Sequence, residues 1–141
     1  MDIKSSIYIW SLGHGAKPLN VFLNKLKEYK IDLVIDARSY PVSRYHPHYS
    51  KTALHRTLAT ETIKYLWLGE HIGGRKLNTN YDQTIDKLTE LAKQGTRLCL
   101  LCSETDFRKC HRFTVLTPSF EERGLLVVHI QYNEKRNRRN K

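Results

Sequence analysis

Leu98-Cys99-Leu100-Leu101-Cys102-Ser103-Glu104-Thr105-Asp106-Phe107-Arg108-Lys109-Cys110-His111-Arg112 decides the fold class. Its first four residues are apolar without alternation, so both faces of the strand they form must be covered. The run breaks at Ser103-Glu104, crosses a short polar loop and passes into a helix from about Cys110. A buried strand that hands over to a helix belongs to an α/β layer architecture.

The same pattern recurs outward in both directions. Ile7 to Leu12 is an apolar strand broken by Gly13-His14-Gly15. Leu33-Val34-Ile35 is a second strand ending at Asp36, Ile63 to Leu68 a third, and Leu125 to Ile130 the fifth. Between them, Leu19, Phe22, Leu23, Leu26 and Tyr29 keep helical spacing after Pro18, which suits a first helical position. Ser50 is placed to cap a helix running to about Thr60. Tyr81, Ile85, Leu88 and Ala92 share one helical face, with Asn80 as a candidate cap and Gly95 just past the end. Pro118 interrupts the last helix, which predicts a kink or a restart with Thr117 as cap; Gly124 ends it. Residues 37–49 and 69–80 read as long loops. The order is β-α-β-α-β-α-β-α-β, an open three-layer α/β fold with a mostly parallel five-stranded sheet and helices on both faces.

At 141 residues the chain is one domain in size, with 40% hydrophobic and 27% charged residues. Residues 1–130 form that domain, and 131–141 read as a basic, disordered tail, with five basic residues against the single acid Glu134. The tail thus holds +4 of the formal +10. A basic balance favours an anionic partner, nucleic acid or a nucleotide. The sequence has no run of about 18 apolar residues, so no membrane span is expected. The N-terminus leads into a strand and not into a signal peptide. Three cysteines, an odd number, argue for a reducing, cytoplasmic setting over a disulfide scaffold.

In a parallel sheet the carboxyl ends of all strands share one edge, where ligands bind. That edge collects His14, then Asp36 and Arg38, then Glu70, His71 and Arg75, then Cys102, Ser103 and Glu104, with Cys110, His111 and Arg112 opening the next helix. The opposite edge offers mostly Ser6, Ile31, Thr62 and Thr96. Cys99 and Cys102 spell C-x-x-C, but their odd separation on a strand sends the side chains to opposite faces. Cys102 to Arg108 has the C-x5-R spacing of cysteine-dependent phosphatases, yet Glu104 and Asp106 in the loop would repel a phosphate. Cys102, Cys110 and His111, with His46 or His48, are metal-type residues in no structural zinc spacing, so no metal and no cofactor is assigned. Gly73-Gly74 reads as a turn, His55 as a surface residue, His129 as a satisfied core histidine and Trp10 as core, while Trp67 fits either packing or stacking.

Ser11-Leu12-Gly13-His14, Asp36-Ala37-Arg38-Ser39-Tyr40-Pro41, Leu68-Gly69-Glu70 with Gly73-Gly74-Arg75, Cys102-Ser103-Glu104 and Cys110-His111-Arg112 carry a resemblance. In this order they resemble the domain of unknown function 488 family over about residues 9–129. The chain departs from the family pattern at Gly15, usually Ser or Thr, and at Ala37, usually Val. The resemblance implies a Rossmann-like fold and a shared site, and supplies no reaction.

Three functions follow from these residues. The first is an enzyme on nucleic acid or a nucleotide, hydrolysing a glycosidic bond, as in DNA base excision, or a phosphoester bond. Its acids and bases would be His14, Asp36, Glu70 and Glu104, with Cys102 as nucleophile or structural thiol. Arg38, Arg75 and Arg112 would hold phosphate with help from Ser103, Cys110 and His111, and Tyr40, Tyr45, Tyr49 and Trp67 would stack a base. The second is a non-catalytic nucleic-acid or nucleotide-binding module, in which Asp36 pairs with Arg38 or Arg112. The third is a Cys-dependent transferase or redox enzyme. The sequence leaves the oligomeric state open.

Overall fold

A computed structural model describes residues 6–73 and 79–133, and the backbone alone of Arg112 and Phe113. Across these residues the chain forms β1 (Ile7–Gly13), α1 (Leu19–Glu28), β2 (Leu33–Asp36), α2 (Lys51–Thr60), β3 (Lys64–Trp67), α3 (Gly69–Ile72), α4 (Tyr81–Lys93), β4 (Leu98–Cys102), α5 (Thr117–Glu121) and β5 (Leu125–His129). The strands lie in the order β3-β2-β4-β1-β5, and every neighbouring pair is parallel.

Strand side chains alternate between two cores. Trp10, Leu12, Val34, Tyr65, Cys99 and Leu101 face one side and pack with Phe22 and Leu26 of α1 and Leu54 and Leu58 of α2. Ile9, Ile35, Leu98, Leu100 and Leu125 face the other side and pack with Ile72 of α3, Ile85, Leu88 and Ala92 of α4, and Phe120 of α5. Apolar strands covered on both faces are therefore the physical basis of the three layers. The chain is an open α/β fold of the Rossmann-like kind. Among the described residues no helix is long and apolar enough to cross a membrane.

The sheet order sets up the site. β2 and β4 are neighbours, with Asp36 opposite Leu101. After β2 the chain leaves toward the layer of α1 and α2; after β4 it leaves toward the layer of α5. Adjacent strands whose connections part to opposite faces open a crevice at their carboxyl ends.

Several local expectations are corrected. The stretch expected as a loop over 69–80 begins with the short helix α3, Gly69–Ile72. Ser50 precedes α2 but does not cap it with its side chain; its Oγ accepts from Ser43 N at 2.9 Å and so closes the preceding loop. Asn80 precedes α4 in a left-handed conformation, φ 55°, also without a side-chain cap. The helix expected from Cys110 is broken up: a 3-10 turn at Phe107–Lys109, a π-helical turn at Arg112–Leu116, then α5 with Pro118 in its first turn. The restart at Pro118 is the expected alternative; the wider π turn before it is not visible in the pattern of residues. Tyr132, placed by its sequence in the tail, packs on the core of α1 and α2 and donates its hydroxyl to Gly13 O at 2.6 Å. Residues 134–141 of the basic tail lie outside the described residues.

Two glycines are dictated by backbone approach. His14 N donates to Cys102 O at 3.0 Å and Gly15 N to Ser103 O at 2.8 Å, which zips the loops after β1 and β4 together. A Cβ on Gly13 would lie 1.8 Å from Glu104 O, and one on Gly69 would lie 1.9 Å from Arg38 O. Backbone cannot yield as a side-chain tip can, so Gly13→Ala should cost at least about 2 kcal/mol, in the range of overpacked cores. Urea denaturation measures it; a variant within about 0.5 kcal/mol of the wild type would contradict the close approach of these two loops.

Candidate functional site

The crevice between β2 and β4 is a cleft of about 400 Å³ lined by Ala37, Arg38, Ser39, Tyr40, Cys102, Ser103, Glu104, Cys110 and His111. Of the expected site residues it brings together Arg38, Tyr40, Cys102, Ser103, Glu104, Cys110 and His111. His14 and Asp36 lie outside this lining and are buried, sharing hydrogen bonds with Arg38. Glu70 stands apart: it is exposed in the first turn of α3, with Oε2 3.5 Å from His71 Nε2. Arg75 and the side chain of Arg112 lie outside the described residues.

The inner group is fully engaged. Asp36 is inaccessible to solvent and accepts from Arg38 N at 3.1 Å, Arg38 Nε at 2.8 Å, Arg38 Nη2 at 2.7 Å and the Tyr65 hydroxyl. Four donors fill about four lone-pair sites, so this carboxylate has no acceptor position left for a further partner. The structure thus gives Asp36 the pairing role with Arg38 that the binding-module reading assigned to it. Burial alone would lower the pKa of Arg38, but the hydrogen bond and charge of Asp36 outweigh it and hold the guanidinium above its ordinary value. Burial, the Asp36 hydrogen bond and its charge raise the Tyr65 phenol, so it stays a donor. Tyr65 was not singled out in the sequence: its role requires β3 beside β2, which residue patterns do not reveal.

His14 completes this group. Its Nδ1 meets Gly15 O at 2.8 Å, and a carbonyl only accepts, so Nδ1 carries the proton. Nε2 then accepts from Arg38 Nη1 at 3.2 Å. The ring is stacked on Tyr49, centroids 4.3 Å apart. Burial, with the Arg38 charge adding to it, pushes the imidazole from 6.5 down to about 4. His14 is therefore a neutral positioning group at neutral pH. Tyr49, expected as a stacking platform, is fully buried, and its hydroxyl donates to Lys17 O at 2.6 Å. Trp67 donates its indole N–H to Arg38 O at 2.7 Å while Lys51 covers its ring. Tyr40 and Tyr45 are 64% and 82% exposed, and of the expected aromatic platforms Tyr40 lines the cleft.

The rim of the cleft holds a carboxylate, an imidazole and two thiols. Glu104 is exposed and its Oε2 accepts from Asp106 N at 3.0 Å, which restrains the carboxylate. His111 Nε2 must donate to Ile72 O at 3.1 Å, which leaves Nδ1 free to face another partner as an acceptor in the neutral ring. Cys102 Sγ and Cys110 Sγ are 3.1 Å apart. Arg108 pairs with Asp106, Nε to Oδ1 at 3.0 Å, and lines a separate hollow with Lys17 and Tyr132. The C-x5-R spacing therefore builds no phosphate cradle around Cys102. Phe107 stacks on His129, itself bonded to Ser11 Oγ (2.5 Å) and Thr117 Oγ1 (3.2 Å), and so pins the loop that bears Glu104. Among the described residues no group of three or more His, Cys, Asp or Glu is arranged to hold a metal ion.

The depressed His14 pKa has a consequence for stability. Between pH 6.5 and about 4 the unfolded ring takes up a proton that the folded ring refuses. Stability from this residue is complete above pH 6.5 and falls as the pH drops through that window, by up to about 1.4 kcal/mol per pH unit. His14→Gln should flatten this part of the pH–stability curve in chemical denaturation at pH 7, 6 and 5. Equal slopes for variant and wild type would contradict a neutral buried ring.

Comparison with known proteins adds one finding. Residues 18–84 and 74–117 match the family model described as Domain of unknown function DUF488, which covers the strand ends after β2 and β4 and the cleft between them. Neither curated proteins nor solved structures give a significant match. With most of its length under that model, the chain belongs to the DUF488 family.

Proposed function

We propose that the protein is a hydrolase acting on a nucleotide or a nucleic-acid unit, and that it cleaves the N-glycosidic bond. The observation that carries this reading is that the restrained Glu104 carboxylate and the His111 imidazole both line one switch-point cleft. A carboxylate activates water and a histidine returns a proton to the departing base. Tyr40, exposed on the same rim, supplies a face for that base. The base must be unstacked to enter, so single strands and free nucleotides fit better than duplex.

The pairing of Arg38 with Asp36 favours this bond over a phosphoester. Phosphoryl transfer needs concentrated positive charge around the reacting group. Among the described cleft residues Arg38 is the sole arginine or lysine, and Asp36 already neutralises it. A nucleotide substrate would still bring one phosphate to the cleft. The basic sequence, +10 overall, supports attraction of such an anion at longer range.

Incubation with nucleosides, nucleotides and single-stranded DNA and RNA, followed by chromatography for free base and assay for free phosphate, tests the proposal. Free base should appear, and Glu104→Gln should slow its release by about 10²-fold or more while substrate binding changes less than about threefold. Phosphate release in place of base would overturn the glycosidic form. Binding without any turnover would overturn the enzymatic reading, and full activity in Glu104→Gln would overturn the role given to Glu104.

A further inference from the structure

Cys102 and Cys110 come from two sides of the loop that bears Glu104. Cys102 is the last residue of β4, and Cys110 follows the 3-10 turn at Phe107–Lys109. The loop folds back on itself: Cys110 N donates to Phe107 O at 3.2 Å, Phe107 is stacked on His129, and Asp106 is tied to Arg108. These contacts bring the two sulfurs to 3.1 Å, with both residues in the cleft wall. A disulfide has an S–S length of about 2.05 Å, so about 1 Å separates this arrangement from a bond. The third thiol, Cys99, is 1% exposed among the side chains packed under α1 and α2.

We propose that Cys102 and Cys110 are a redox-active dithiol that closes to an intramolecular disulfide by exchange with a low-molecular-weight disulfide. The two thiols differ in access: Cys102 is 5% exposed, whereas Cys110 is only partly buried. Exchange proceeds through a thiolate attacking a disulfide sulfur. Cys110 loses its proton and attacks one sulfur of the incoming disulfide RSSR. A Cys110–S–S–R mixed disulfide forms, and RS⁻ departs and takes up a proton. Cys102, deprotonated in turn, attacks Cys110 Sγ. The Cys102–Cys110 bond forms and the second RS⁻ leaves. Two electrons pass from the protein to RSSR, giving two RSH. The product closes a short loop, the case in which a covalent link needs little rearrangement because the native fold already holds the ends together.

Closure staples the base of the segment that presents Ser103 and Glu104 to the residue preceding His111. It thereby ties the two ends of the Glu104-bearing loop together on the β4 side of the cleft. The proposal does not depend on the hydrolase reading, since its readout is the state of the sulfurs.

The test treats the full folded chain with excess oxidised glutathione and reads intact mass and thiol content. The wild type should lose about 2 Da and fall from three titratable thiols to one, with a Cys102–Cys110 peptide after digestion. Cys102→Ser should stop at a glutathione adduct of about +305 Da on Cys110, and Cys110→Ser should give neither adduct nor bridge. A wild type that keeps three thiols under native conditions, accumulates the adduct, or links chain to chain would overturn the proposal. The wild-type mass alone decides the matter should either variant fail to fold.

Discussion

The buried ion pair of Asp36 and Arg38 is the constraint on which the rest of the site depends. Taking two charges out of water costs several kcal/mol per ion, recovered only with good geometry and complete hydrogen bonding. Here Arg38 grips Asp36 by Nε and Nη2, and its own backbone N–H and the Tyr65 hydroxyl occupy the remaining carboxylate positions. The pair also reaches sideways. Arg38 Nη1 meets His14 beyond β1, and Arg38 O receives the Trp67 indole at the end of β3. One residue after β2 thus connects the carboxyl ends of β1, β2 and β3. Gly69 follows from this closure, because no side chain fits against Arg38 O.

With that floor in place, the cleft has two layers of different character. The inner layer of His14, Asp36 and Arg38 is buried and linked by its own hydrogen bonds, which tie the strand ends together. The outer layer of Tyr40, Ser103, Glu104, Cys110 and His111 is exposed or partly exposed along the cleft. The loops after β1 and β4 are joined by backbone hydrogen bonds through His14 and Gly15.

Much of the scaffold was legible in the residues. Unbroken apolar runs such as Leu98–Leu101 required cover on both faces, and Gly95 and Gly124 take the positive φ, 102° and 89°, that helix ends favour. Strand ends therefore collected on one edge, and seven of the expected site residues meet in the cleft. What could not be read depends on the sheet order. That β2 lies between β3 and β4 sets Tyr65 on Asp36 and separates the engaged carboxylate from the accessible one. By type alone Asp36, Glu70 and Glu104 look equivalent; burial makes one an ion-pair partner, exposure on α3 removes another, and the β4 loop delivers the third. Short elements were equally opaque: α3 is a four-residue turn opened by a glycine, too short to show periodicity. The Cys102–Cys110 contact arises from a 3-10 turn that no spacing rule anticipates.

The central claim is that the carboxyl-end crevice between β2 and β4 receives the ligand. Amide chemical-shift mapping of the nitrogen-labelled protein during titration with a nucleoside monophosphate tests it most directly. The account predicts shifts concentrated at Ser39, Tyr40, Ser103, Glu104 and His111. Shifts confined to the hollow of His71, Asn80 and Lys87, or to that of Lys17, Arg108 and Tyr132, with the crevice unmoved, would contradict it.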